Sequence, residues 1–392
     1  MSGRRVGSAR ILGRFMDKVS FPYRSASHLS LLHVVSESGS WAKHGLDVNY
    51  DYQISKDDAH KLVPSGEVEF VGGNHVSTYG HRARGDSWVY LGQTVNRYNA
   101  KLAVHPDSGI NSVADLRHKV VAMRGNHPGL NDWLFLKQHG LDVDKDEVVL
   151  TRTVAGEVSA EGAQQEDAKL TGKKPKRTPL WHWIRDRKVD AAFLAPPTSL
   201  FAEAAGLKLI DIEPMPMIWF TTVSSSLGFV QKHPDIVERF LKGLIEGIHF
   251  YKTQPDKAIN ILQDRYTREG EMTLAQATYT YQNIAAMLEP KLYPSMQAIS
   301  NVYEEGKRQD KDAEKINPLA LWDMHHVRKI DDSGFIDQLY GVNAHKHAHD
   351  HDHGHAHKHD PEEQAEKAKK QEDMINAVKA CGHLAGIDCD CE

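Results

Sequence analysis

Between Val19 and Leu194, short apolar runs take turns with amphipathic stretches, and this rhythm restricts the fold more than any other feature of the chain. Val19–Tyr23, Leu46–Tyr52, Val68–Gly72, Trp88–Val95, Lys101–Val104, Val120–Met123 and Ala191–Leu194 read as strands. His28–Lys43, Val76–Arg84, Leu130–His139 and Leu180–Arg187 carry helical spacing between them. A strand–helix alternation of this kind predicts an α/β protein with largely parallel sheets. From Pro234 the texture becomes helical: Pro255 restarts a second helix, and Thr273–Met287 and Ser295–Lys307 continue the series. Glu157–Thr178 is polar and reads as a flexible insertion.

The 392 residues, 40% hydrophobic and 26% charged, suffice for two lobes. A net charge of −5 argues against a nucleic-acid partner, and the one basic run, Lys173–Arg177, reads as a solvated loop. No stretch approaches the roughly 18 apolar residues of a membrane span. Residues 1–16 read as a flexible N-terminus, charged and without an apolar secretory core, so a cytoplasmic location is expected. A membrane permease would be a partner only of an exported chain.

The last segment, 341–392, has a different chemistry. His345, His347, His349, His351, His353, His355, His357 and His359 stand at every second position, and Cys381, His383, Cys389 and Cys391 follow. With nothing apolar to bury, the histidine run is expected to be disordered and to bind zinc, nickel, copper or cobalt. These three cysteines are the chain's entire complement, so the body has no disulfide framework.

In open α/β sheets, ligands sit beyond the carboxyl ends of the strands. That rule nominates Tyr23, Arg24 and Ser25 after the first strand and Asn74 after the third. Arg124 and Asn126 follow a later strand, Thr198 follows another, and Trp219 and Thr221 lie on the return. The tripeptide Gly-Asn-His occurs at Gly73–His75 and again at Gly125–His127, at two such turns. Glycine allows close backbone approach, and Arg124 offers a bidentate contact to an anion. The histidines admit two readings. They are either polar liners of a pocket, or a metal site in which His28, His75 and His127, helped by His81 or His105, bind zinc, iron, cobalt or nickel. His33 falls on the apolar face of the first helix and reads as a core histidine.

Four stretches together resemble a known family: "SESGSWAKHGLDVNYDY", "GEVEFVGGNHVSTYGHRARGDSWVYLG", "DLRHKVVAMRGN" with "RDRKVDAAFLAPPTSLFAEAAGLKLI", and "HPDIVERFLKGLIEGIHFYKTQPDKA". They are similar to the sulfonate and thiamine-precursor (NMT1/THI5-like) class of substrate-binding proteins over about residues 17–310. The resemblance implies a two-lobed type II periplasmic-binding-protein fold with a helical C-terminal part. Lobe 1 would hold 17–97 and 215–340, and lobe 2 would hold 98–214. The crossings would fall near Val95–Lys101 and Asp211–Met217. The family contains receptors of ABC importers and enzymes that reuse the cleft. Gly73 and Ser77 stand where the related thiamine-pyrimidine synthases place a cofactor lysine and a substrate histidine, so no pyridoxal phosphate is expected. The turn "YRSASH" has no cysteine where related desulfinases have their nucleophile. The expected function is binding of a small anionic or aromatic compound. The alternative is a metal-dependent lyase of decarboxylase or desulfinase type.

Overall fold

Five strands build the sheet of the first lobe in the computed structural model, which describes residues 16–124, 131–145, 147–160, 176–195, 198–268 and 273–341. In chain order the strands are β1 (Asp17–Ser20), β2 (Leu46–Asn49), β3 (Phe70–Gly72), β4 (Trp88–Gln93), β5 (Arg97–Tyr98), β6 (Lys101–Val104), β7 (Val120–Ala122) and β8 (Val149–Thr151). There follow β9 (Thr153–Val154), β10 (Glu157–Ser159), β11 (Lys176–Thr178), β12 (Ala191–Leu194), β13 (Lys208–Asp211), β14 (Met215–Pro216) and β15 (Thr222–Ser226). β1 and β2 pair in parallel, and Tyr23 prolongs β1 to bridge both Gln53 and Gly72. β15 lies between β3 and β4 and runs antiparallel to both. The second sheet has the order β13-β6-β12-β7-β8. A two-stranded ribbon, β5 with β14, pairs Tyr98 with Met215 between the two sheets.

The sheets are less uniformly parallel than the strand–helix rhythm predicts. β6 is antiparallel to both β12 and β13, and β15 is antiparallel to its neighbours. Both strands come directly off the β5–β14 ribbon. A strand that enters a sheet from the end where the others finish must run against them. The type II periplasmic-binding-protein architecture, two α/β lobes joined by paired crossings with a helical C-terminal part, is the fold observed.

Local chemistry explains several boundaries. The expected helix His28–Lys43 is broken into Leu29–Glu37 and Ser40–Lys43, because Gly39 adopts a φ of 73° between them. Lys56–Ser65 forms a helix that the apolar pattern does not announce, since it buries only Ala59 and Val63. Its start is fixed by Ser55, whose Oγ accepts from the Asp58 N–H at 2.9 Å. The ends of the Glu157–Thr178 segment are ordered: β10 pairs in parallel with β11, and Lys176 Nζ lies 2.8 Å from Glu157 Oε1. The basic run is thus partly strand rather than loop; residues 161–175 lie outside the described residues.

The helix Leu29–Glu37 buries Leu31, Leu32, Val34 and Val35 against the long helix Pro234–Thr253 and the first sheet. His33 lies in that core as expected, with Nδ1 3.1 Å from the Tyr50 hydroxyl. Burial, with Arg265 nearby, holds it neutral down to about pH 4. Trp183 of "WHWIRDRK" is fully buried under the second sheet's apolar cluster. Among the described residues no helix is long and apolar enough to cross a membrane.

Candidate functional site

The end of β1, the end of β3 and the start of β15 meet at one place. The Arg24 N–H donates to Gly72 O at 3.1 Å, and the Gly73 N–H donates to Thr222 O at 3.0 Å. His28 is buried there: its Nδ1 is 3.2 Å from Thr221 Oγ1, and its ring stacks on Phe220 with centroids 5.6 Å apart. Thr221 is held in turn, since its carbonyl accepts from Thr94 Oγ1 at 2.8 Å. Tyr23 is half-buried beside this junction, whereas Ser25 is exposed and caps the short turn Ala26–His28.

The first Gly-Asn-His turn works as its residue types suggest. Gly73 has φ 107° and Asn74 φ 59°, conformations that glycine and asparagine tolerate best. The Asn74 carbonyl accepts from Thr78 Oγ1 at 2.8 Å and from the Tyr90 hydroxyl at 3.0 Å, which fixes the turn. Its Nδ2 is buried without a hydrogen bond among the described residues, as is His75 Nδ1.

Electrostatics follow from the packing. Burial, then His75 and Arg24, push His28 down to about 3. Burial and then Arg24 push His75 down to about 4. Both imidazoles are therefore neutral near pH 7, and Arg24 carries the local charge.

From His28 an unbroken series of ring contacts crosses to the second lobe. Phe220 lies 5.7 Å from Trp219, Trp219 lies 4.8 Å edge-to-face from Tyr98, and the Arg124 guanidinium stands 4.7 Å over the Tyr98 ring. Trp219 is half-buried and its indole N–H donates to Arg97 O, so it belongs to the ribbon that joins the lobes. Arg124 follows β7, and its N–H is 3.3 Å from Asp132 Oδ2. Thr198 opens the helix Thr198–Ala204 after β12 and is half-buried. Phe220 was not anticipated: its φ of 63° turns it from the return strand onto His28, and a phenylalanine in the sequence gives no hint of such a backbone.

Asn126 and His127 of the second Gly-Asn-His lie outside the described residues. So do His345, His347, His349, His351, His353, His355, His357, His359, Cys381, His383, Cys389 and Cys391. His81 stacks on His60 at 3.5 Å and pairs with Asp86, while His105 caps a turn at Asp107, so each is engaged locally. Among the described residues no three His, Cys, Asp or Glu side chains are grouped to hold a metal ion.

Two lobes and a crossing ribbon define the periplasmic-binding-protein type of fold. Residues 28–163 match the family described as NMT1/THI5 like. A Brachyspira hyodysenteriae protein, assigned by name to the ABC transporter periplasmic binding proteins, is 26% identical over 95 residues; the match covers 24% of this chain and spans only 28% of that protein's length. The periplasmic aliphatic sulphonate binding protein SsuA from Escherichia coli superposes with a TM-score of 0.56 at 14% identity, covering 78% of this chain and 96% of its own. The desulfurization enzyme DszB superposes with a TM-score of 0.52 at 15% identity, covering 80% and 99%. The alkanesulfonate-binding protein SsuA from Xanthomonas axonopodis pv. citri, bound to MOPS, gives 0.52 at 13% identity, covering 78% and 98%. The resemblance read from the sequence therefore holds for the fold, which is that of the periplasmic binding proteins, while the NMT1/THI5-like match is confined to residues 28–163.

Proposed function

We propose that this chain is a binding protein of the ABC-transporter receptor type, and that it holds a small organic anion in the cleft between its lobes. The observation that carries this reading is the ring series His28–Phe220–Trp219–Tyr98, with Arg124 over Tyr98 at one end and the charge of Arg24 acting on His28 at the other. Guanidinium groups suit carboxylate, sulfonate or phosphate, and the wall suits an apolar body. The solved relatives that bind sulfonates make that anion the first to test. Fluorescence and calorimetric titration with alkyl- and arylsulfonates, the matching carboxylates and phosphate monoesters is the experiment. Saturable binding that is lost in Arg24→Ala supports the reading, and no binding by any class refutes it.

A second reading, a metal-assisted lyase in the same cleft, is favoured by His28 and His75. They are neighbouring neutral imidazoles, the protonation state a metal ligand needs. Metal bound to the body in stoichiometric amount, and lost in His75→Ala, would select it. The tail is read as a metal-binding segment on its alternating histidines alone. The Brachyspira hyodysenteriae protein and the Escherichia coli SsuA are periplasmic by name, and they lend no support to a cytoplasmic location. Fractionation of cells expressing the full chain decides between the two compartments and hence whether a permease is a partner.

A further inference from the structure

The helix Met296–Gln309 touches three parts of the molecule at once. At its start, the Ser295 N–H donates to Asn96 Oδ1 at 2.8 Å and Asn301 Nδ2 donates to Pro216 O at 2.6 Å, both in the crossing segments. On the first lobe, Tyr303 meets Tyr79 with centroids 5.4 Å apart. Gly306 lies so close that a Cβ there would be 3.1 Å from Tyr79 Cδ2. On the second lobe, Glu305 accepts from the Trp133 indole N–H, and the Arg308 guanidinium lies 5.0 Å from the Trp133 ring and 3.1 Å from Asp144 Oδ2. Ala298, Ile299 and Val302 share one apolar cluster with Tyr79 and Tyr90 of the first lobe and with Val121, Met123 and Trp133 of the second.

The joint with the second lobe is buried and acidic. Glu305 is 0% and Asp132 1% exposed. Burial pushes Glu305 up to about 7, against the hydrogen bonds from Trp133 and Gln309, with Asp132 adding to the rise and Arg308 opposing it. Burial pushes Asp132 up to about 6 against the pull of Arg124. Asp132 faces Arg124 with one oxygen, and its other oxygen is buried without a hydrogen bond among the described residues.

We propose that the helix Met296–Gln309 is an interlobe strap, and that Asp132, at its contact with the second lobe, is the positioning residue that sets where Arg124 stands in the cleft. The importance of Arg124 rests on the ligand-binding reading above; the strap and the link do not. The test therefore needs no ligand. Spin labels at Lys232→Cys and Glu203→Cys, with Cys381, Cys389 and Cys391 changed to serine in the full chain, report the distance between lobes. The parent protein should give one narrow distribution. Glu305→Ala should add a component longer by more than ~2 Å, the scale of domain rearrangement. Glu305→Gln, which keeps an oxygen for the Trp133 N–H, should restore the parent distribution. Arg308→Ala, at the solvent edge of the joint, should also add the longer component; it decides the matter if Glu305→Ala does not fold. Parent-like distributions in every folded alanine variant overturn the strap. In nitrogen-15 arginine spectra, the Arg124 Nε signal, assigned by Arg124→Lys, should move in Asp132→Asn while the interlobe distance does not. An unmoved signal overturns the positioning role.

Discussion

Replacing Gly73 by alanine probes the floor of the cleft directly. Gly73 has φ 107°, and a Cβ built there lies 3.1 Å from both Arg24 Cβ and Cγ and 3.2 Å from His28 Cε1. Carbon atoms prefer about 3.5–4.0 Å, so these neighbours must retreat by several tenths of an ångström. They have little freedom to do so. The Arg24 N–H is bonded to Gly72 O, its Nη1 donates to Ile54 O, and His28 is held by Phe220 and Thr221. Two costs combine: about 1–3 kcal/mol for an L-residue in this backbone region and about 1–3 kcal/mol for overpacking. A loss of about 3–4 kcal/mol is expected from these two costs, a large share of a stability of order 5–15 kcal/mol. Gly66 supplies the control: its φ is 81° and a Cβ there meets nothing within 4 Å, so Gly66→Ala bears the backbone cost alone. Urea unfolding followed by far-ultraviolet circular dichroism measures both variants, with equal slopes confirming a common unfolded state. If Gly73→Ala is no more destabilising than Gly66→Ala, the crowding of Arg24 and His28 against this turn is wrong.

Three further outcomes follow from the same geometry. Arg24→Ala and Arg124→Ala should each weaken binding of a sulfonate or carboxylate ligand about 10- to 150-fold, the equivalent of ~1.5–3 kcal/mol for a hydrogen bond to a charged group; calorimetric titration checks this, and an unchanged affinity removes that arginine from the site. Opposed pH dependences are built into the cleft and the interlobe joint. His28, at about 3 when folded against an ordinary 6.5, leaves the unfolded chain binding more protons as pH drops below 6.5, at up to ~1.4 kcal/mol per pH unit. Asp132 and Glu305, raised to about 6 and 7, contribute stability that is fully present below their unfolded values and lost as pH rises through their folded ones. Urea midpoints between pH 4.5 and 8 should show His28→Asn removing a loss of stability that grows as pH falls below 6.5, and Asp132→Asn removing a loss that grows as pH rises toward 6. Finally, the full chain should retain nickel or zinc at pH 7.5, release it below about pH 6 as imidazoles protonate, and lose it when the chain is cut after Gly341; equal retention by the cut chain would assign the metal to the body.

Which of these features could be read in advance depends on how local their causes are. β6 and β12 were legible to the residue because Lys101–Val104 and Ala191–Leu194 are short apolar runs with sharp polar borders. The Gly73-Asn74 turn was legible because those two residue types tolerate positive φ. The helix Lys56–Ser65 was not, since two buried side chains make no pattern, and its cap at Ser55 looks like any serine. The reversed direction of β15 was hidden because direction is decided by where the chain re-enters the lobe, a property of the ribbon and not of Thr222–Ser226.

The cleft divides along the same line. Arg24, His28 and Thr221 were nominated separately by the strand-end rule, yet His28 meets Thr221 across 193 positions of sequence, and Phe220 joins them only through its positive φ. Charge and residue type thus suggest the anion site proposed above, whereas the features that hold His28 neutral arise from contacts distant in sequence. The distinction bears on the chemistry. An exposed His28 would titrate near its ordinary 6.5 and add positive charge for an anion, but burial removes that option. On the proposed binding reading, the cleft attracts an anion through guanidinium groups such as Arg24 and Arg124, which is why the fate of Arg124 under the strap matters more than its position in the sequence suggests.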